Sequence, residues 1–169
     1  YGFTAKYNGL TRIIKTVIII SKAFNPKDDP ATHPCKNQYD AIWDTGATNT
    51  VITKRIVKEC DLKPVGMITV ETASDTVNVP TYMVNAQLPN NVGFSFLKVS
   101  EGKNIKGADI LIGMDIISRG DFALSNFQGK TTLSFRIPSV ECIDLKGLKM
   151  PSTKQPLDKQ PPENKPQES

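Results

Sequence analysis

The sequence has few long apolar runs, one histidine and three cysteines, and each shortage removes a class of function. Its longest aliphatic stretch is Val-Ile-Ile-Ile at 17–20, whereas a helix needs about 20 apolar residues to cross a bilayer. No membrane span or membrane partner is therefore expected. No basic segment followed by an apolar core opens the chain, so no secretory leader is expected. The first residue is Tyr1 rather than Met, which points to a fragment with sequence upstream. The one histidine, His33, sits in the irregular stretch Thr-His-Pro-Cys, which argues against a Ser-His-Asp triad. Cys35, Cys60 and Cys142 are odd in number and far apart. That spacing argues against a disulfide framework and for a reducing, cytoplasmic compartment. His33 and Cys35 have no second Cys/His pair, so neither a metal nor another cofactor is expected. The net charge of +4 contains no run of five Lys or Arg. A nucleic-acid partner, which would call for a concentrated basic stripe, is accordingly not expected.

What is present reads as one domain followed by a tail. From Lys149 the chain runs KMPSTKQPLDKQPPENKPQES, with five of the twelve prolines and almost nothing apolar. Residues 149–169 are expected to be a disordered Pro/Lys/Gln-rich tail. Residues 1–148 then hold the domain, with a core of about 10–137. Its punctuation is that of β structure. The β-branched stretch 10–20 reads as a long strand or two, and 24–34, with three prolines, as a surface loop. Tyr-Asp-Ala-Ile-Trp at 39–43 reads as a short strand, and 51–62, with Ile52, Ile56 and Cys60 four apart, as a short amphipathic helix. Residues 67–89 alternate with a polar break near Ser74 and Asp75, the pattern of a hairpin, and a strand follows at 93–100. Ile110-Leu111-Ile112 runs into Gly113 and a helical turn, and 130–137 closes the domain as a strand. Ala41-Ile42-Trp43-Asp44 and Asp109-Ile110-Leu111-Ile112-Gly113 share one plan: apolar strand, tight turn, short helix. The expected class is mostly β with one or two short helices.

The chemistry-bearing stretch is Asp44-Thr45-Gly46-Ala47. An Asp that ends a strand can simply bond to backbone two residues on, as in many turns. Against that, Asp44 follows a segment that reads as buried, where a free carboxylate is costly. Gly46 permits close backbone approach, and Thr45 offers a hydroxyl that can bond across a close interface. Asp44-Thr45-Gly46-Ala47, then a helix, a hairpin and finally Ile110-Leu111-Ile112-Gly113, together resemble the single-domain retropepsin-like aspartic proteases. These are relatives of the retroviral proteases and include bacterial members. The resemblance implies a closed β-rich acid-protease fold, active as a homodimer in a bacterial cytosol, acting on a peptide or protein substrate. Asp44 would be catalytic, and Thr45 would make interlocking hydrogen bonds beneath the paired site. Gly46 and Ala47 would line the substrate cleft. Ala73, Ser74 and Asp75 would form the tip of a flap, and Ile112, Gly113 and Asp115 would line the cleft or support it. Met114 stands where retroviral members carry an Arg that braces the dimer, and the hairpin tip lacks their glycines.

Peptide hydrolysis without metal or covalent nucleophile needs one group to take a proton from water and another to protonate the carbonyl oxygen. Two carboxylates sharing one proton do both. The chain holds one Asp-Thr-Gly, so the second carboxylate is expected from a second copy. Ala47 brings no hydroxyl to the carboxylate, so a mildly acidic to neutral working range is expected. Ile52, Val79, Met83 and Ile112 are candidates to line an apolar cleft, and the segments near Tyr1 and around 138–150 are candidates for self-cleavage. Two rivals stand beside this reading. Asp-Thr-Gly-Ala-Thr also fits a phosphate loop of sugar kinases, although the chain is too short for their two lobes. The other is a non-catalytic dimerisation or peptide-binding module of the same fold. Asp109, Asp115 and Asp121 suit turn and helix-cap roles, Cys60 a small core position, and Trp43 packing beside the loop.

Overall fold

The β-branched stretch after Ile14 alternates faces, with Thr16, Ile18 and Ile20 turned inward, as a strand with one side on a core requires. The same alternation buries Tyr39, Ala41 and Trp43 on the next strand. The computed structural model of the chain describes residues 1–34, 36–71, 76–102, 105–144 and 146. Cys35, the expected flap tip at Ala73, Ser74 and Asp75, and the expected tail 149–169 lie outside them. In order, the described elements are β1 (Gly2–Lys6), β2 (Lys15–Lys22), β3 (Asn37–Trp43), β4 (Val51–Thr53) and α1 (Lys54–Glu59). They continue with β5 (Gly66–Glu71), β6 (Thr76–Leu88), β7 (Val92–Gly102), β8 (Ile110–Ile112), α2 (Met114–Ile117), β9 (Asp121–Ser125) and β10 (Thr132–Arg136). The class is mostly β with short helices. No helix among the described residues is long and apolar enough to cross a membrane.

Strands β2, β3, β8, β4, β7 and β6 hydrogen-bond in that order, and β6 then pairs back onto β2 from Ile19–Gln87 to Lys22–Val84. The ring is therefore closed, which leaves these strands little unpaired edge. Ile18, Ile20, Ile52, Val84, Val99, Ile110 and Ile112 fill its interior. Each such side chain contributes about 1.5–3 kcal/mol relative to exposure. A register shift between Val84 and Ala86 bends the long β6–β7 pairing. There the Phe96 N–H, at φ 54°, donates to Asn85 Oδ1 at 3.0 Å. The first half of β6, from Thr76 to Pro80, pairs only with β5, so these two strands extend beyond the ring as a two-stranded arm.

A second sheet, β1-β10-β9, joins the beginning and end of the described chain. Trp43 ties it to the ring: its ring centroid lies 5.1 Å from Phe135, 5.5 Å from Phe122 and 6.2 Å from Phe3. Its indole N–H donates to Thr16 Oγ1 at 2.9 Å. Three expectations change here. β1 and β9 are strands that the sequence pattern did not announce, because each pairs with β10 and not with a neighbour in sequence. The expected helix 51–62 yields its first three residues to β4, where Val51 and Ile52 pair with both β7 and β8. The strand expected over 10–20 begins only at Lys15.

Asp121 fastens the chain that leaves β10. Its carboxylate accepts from the Ser139 hydroxyl, from Arg136 Nε at 2.6 Å and from the Val140 N–H at 3.2 Å. The Ser139 hydroxyl above all, then the Arg136 guanidinium and the Val140 N–H, hold the carboxyl down to about 2. A folded-state value below the unfolded one of about 3.9 gives stability that is present above pH ~4 and is lost as pH falls towards ~2. Asp121→Asn is thus expected to lower the unfolding midpoint at pH 7, with the gap to wild type closing between pH 4 and 2. Unfolding curves at pH 7, 4 and 2.5 check this, and a gap that stays constant would contradict it.

Candidate active site

Asp44 follows the last residue of β3, which lies between β2 and β8. The chain is held on both sides at this point. The Trp43 N–H donates to Ile14 O at 3.0 Å and the Asp44 N–H to Ile112 O at 2.9 Å. It then turns, with the Ala47 N–H donating to Asp44 O at 3.2 Å and the Gly46 N–H to Asp44 Oδ1 at 2.9 Å. The backbone contact two residues on, the simple turn interaction, is therefore present and fixes the carboxylate's orientation. It is the one hydrogen bond to this carboxylate among the described residues. Asp44 and Ala47 are half-buried, while Thr45 and Gly46 are exposed. The loop thus presents its tip outward from a rigid base.

The support beneath the loop comes from the end of β8. The Gly113 N–H donates to Thr50 Oγ1 at 3.2 Å, and that hydroxyl donates to Asp115 Oδ1 at 2.7 Å. Asp115 Oδ2 accepts the Thr50 N–H at 3.0 Å, and Oδ1 also takes the Ile116 N–H at 3.0 Å. The backbones interlock as well: the Met114 N–H donates to Ala47 O at 2.8 Å and the Asp115 N–H to Thr48 O at 3.2 Å. Gly113 permits this approach, because a Cβ there would lie 2.5 Å from the Asn49 carbonyl carbon and 2.9 Å from Ala47 O. Thr50, buried at the centre of the clamp, is the residue sequence reasoning misses; nothing local separates it from Thr45 or Thr48.

The remaining candidates divide. Ile52 and Ile112 are fully buried in the core. For Ile52 this corrects the expected place on a cleft wall. For Ile112, expected to line the cleft or to support it, it removes the first alternative, because on these strands both side chains fall on the inward face. Val79 and Met83 are half-buried. Asp109 faces Arg55 at 3.3 Å and Asp121 faces Arg136, so with Asp115 the three acids serve three separate contacts. No metal-holding group of His, Cys, Asp or Glu occurs among the described residues. Cys60 packs on the core with its Sγ 3.5 Å from the Tyr39 hydroxyl. Burial above all, then that thiol and Glu59, raise the Tyr39 hydroxyl well above the usual phenol range. A cavity of about 580 Å³ lies against the β1-β10-β9 sheet and contains no residue of 44–50. The tip of the Asp44 loop, at Thr45 and Gly46, is exposed outside that cavity.

Residues 36–119 match the family described as gag-polyprotein putative aspartyl protease. The match runs from just before β3, through the loop and the arm, to just past α2. Three solved structures are similar at a distance. The foamy viral protease–reverse transcriptase in complex with an RNA/DNA hybrid is 18% identical over 63% of this chain, with a TM-score of 0.42, and the chain spans 12% of its length. A retropepsin-like aspartic protease from Rickettsia conorii is 15% identical over 76% of this chain and 97% of its own, with a TM-score of 0.42. The simian foamy virus (mac) protease is 16% identical over 62% and 92%, with a TM-score of 0.41. No curated protein sequence matches the chain significantly.

Proposed function

Since its segment 36–119 makes this chain a member of the gag-polyprotein putative aspartyl protease family, we propose that it is an aspartic endopeptidase, active as a homodimer, with one Asp44 from each subunit. The observation that carries this reading is the single Asp44-Thr45-Gly46 loop, rigidly based and exposed at its tip, inside the matched segment. Brought together by a twofold axis, two such carboxylates lie too close for both to ionise. The charged one takes a proton from water, and the protonated one gives its proton to the peptide carbonyl oxygen as the water adds. The Gly46 N–H bond to Asp44 Oδ1 keeps one oxygen of each carboxylate fixed, leaving the other for the shared proton and the water. Thr45 and Gly46, exposed in one chain, are the residues a second copy covers, and Ala47 borders the bound peptide.

The test is digestion of a diverse peptide library from pH 4 to 7.5 at several protein concentrations, with Asp44→Asn in parallel. Cuts that depend on Asp44, with specific activity rising with concentration, are expected. No Asp44-dependent cut at any concentration would reduce the protein to a binding or dimerisation module.

A further inference from the structure

The outer face of the closed ring carries apolar side chains on β2, where a solvated sheet face carries polar ones. Val17 is 43% exposed, and Ile19, two residues on along the strand, is half-buried. Both border a cavity of about 190 Å³ that reaches Gln87 and the turn at Asn90 and Asn91. Ile19, Gln87 and Asn91 also line a second cavity, of about 250 Å³, walled by Phe24, Pro26 and Lys36. With these residues in common, the two form one groove across β2, β6 and β7. Its far wall is the loop after β2, pinned where Asn85 Nδ2 donates to Phe24 O at 2.7 Å. The Phe24 ring there lies 4.3 Å from that of His33. Gly93 opens the floor, since a Cβ on it would meet nothing nearer than 3.9 Å. No residue of 44–50 lines the groove.

The course of the chain says what covers this face. Ile143, beyond β10, lines the cavity on the β1-β10-β9 sheet together with Asn90, and Asn90 in turn borders the groove. The turn is held from both sides, with Asn90 Nδ2 donating to Gly2 O at 2.6 Å and Gln87 Nε2 to Asn91 Oδ1 at 2.8 Å. The described chain therefore ends beside the near end of the groove, with the Pro-rich residues 149–169 still to follow. A segment too poor in apolar residues for a core of its own can still lie extended as polyproline II, whose prolines pack on aromatic-lined grooves at low entropic cost. Extended at ~3.1 Å per residue, the chain from Ile143 to Leu157 spans ~40 Å, about the width of a domain of this size. We propose that residues 157–163 dock in this groove of their own chain, as a strap over the outer face of β2. The order along the tail then matches the order along the groove. Leu157 covers Val17 and Ile19, Pro161 and Pro162 pack on Phe24, and Glu163 meets Lys36, the charged residue of the lining.

The test uses the full chain carrying Asp44→Asn, so that no cleavage removes the tail, and reads backbone amides by NMR. Order parameters of Leu157, Asp158, Lys159 and Gln160 are expected above ~0.6, outside the range of a flexible backbone. Leu157→Ser, Pro161→Ser and Pro162→Ser together lie outside the folded domain. They should drop those order parameters below ~0.6 and shift the amides of Ile19, Gln87, Gly93 and Ser95. Gly93→Leu, which fills the groove floor where there is space, should lower the same order parameters from the other side. Tail order parameters below ~0.6 in the starting chain would overturn the docking, as would an ordered tail whose substitution shifts nothing in the groove. Shifts confined to Thr45 and Gly46 would place the tail in the cleft instead, and shifts that fade on dilution would make the strap that of a second copy. Either result overturns the proposal, and none of these outcomes depends on whether Asp44 cuts peptides.

Discussion

Asp44→Asn is expected to lower kcat/KM by ~10³-fold or more, and to silence wild-type subunits when the two proteins are mixed. The Asn carbonyl oxygen can still accept the Gly46 N–H that Asp44 Oδ1 accepts at 2.9 Å. The loop therefore keeps its shape, and the unfolding midpoint should move by no more than about 0.5 kcal/mol. What is lost is the shared proton, because an amide neither ionises nor passes a proton between water and carbonyl. With subunits exchanging at random, working dimers scale as the square of the wild-type fraction. An equal mixture then retains about a quarter of the activity, whereas chains that work singly would retain half. Activity followed across a mixing series separates the two curves, and a straight line would remove the paired-carboxylate mechanism.

The parts of this molecule that were legible in its sequence are those determined by neighbours along the chain. The strand ending at Asp44, the loop after it, the arm after Gly66 and the apolar triplet before Gly113 all announce themselves by alternation and by glycine. The shared plan of Ala41-Ile42-Trp43 and Ile110-Leu111-Ile112 appears in space as a parallel pair with Ala41 opposite Ile110 and Trp43 opposite Ile112. What was hidden depends on partners far away. β1 finds β10 about 130 residues on, as in the Thr4–Ser134 contact, and ring closure joins Ile20 to Ala86. A five-residue strand such as Gly2–Lys6 has too little alternation of its own to betray such a pairing. Whether Ile52 and Ile112 belong to core or cleft was hidden for a related reason: hydrophobicity signals burial, and only closure of the ring decides which of the two it means. Thr50 shows the limit most clearly, for its importance lies in contacts with Gly113 and Asp115, 63 and 65 residues away.

That contact carries the other large effect. Asp115→Ala removes the acceptor of the Thr50 N–H and the Thr50 hydroxyl, while the Ile116 N–H keeps Gly113 O at 3.1 Å. The two Thr50 donors left without partners are expected to lower stability by ~2–4 kcal/mol. Asp115→Asn, which keeps one carbonyl oxygen but turns an amide N–H₂ toward one of those donors, should lose ~1–2 kcal/mol. Gly113→Ala attacks the same place by size. Its new methyl meets the Asn49 carbonyl carbon at 2.5 Å and the Asn49 oxygen at 2.7 Å, and backbone in a strand crossing has little room to yield. The part that must move is residues 47–49, directly behind Asp44, so cleavage should suffer more than stability. An overpacking cost of about 1–3 kcal/mol should accompany a ≥ ~10²-fold fall in kcat/KM, in keeping with the sensitivity of catalysis to small misplacements. Denaturant midpoints and single-concentration rates on the three variants separate these effects. An Asp115→Ala protein that unfolds at the wild-type midpoint would mean that the backbone bonds from Met114 and Asp115 to Ala47 and Thr48 hold the loop without the carboxylate. In that case Asp115 would matter only for how the loop is aimed, and the loss should appear in kcat alone.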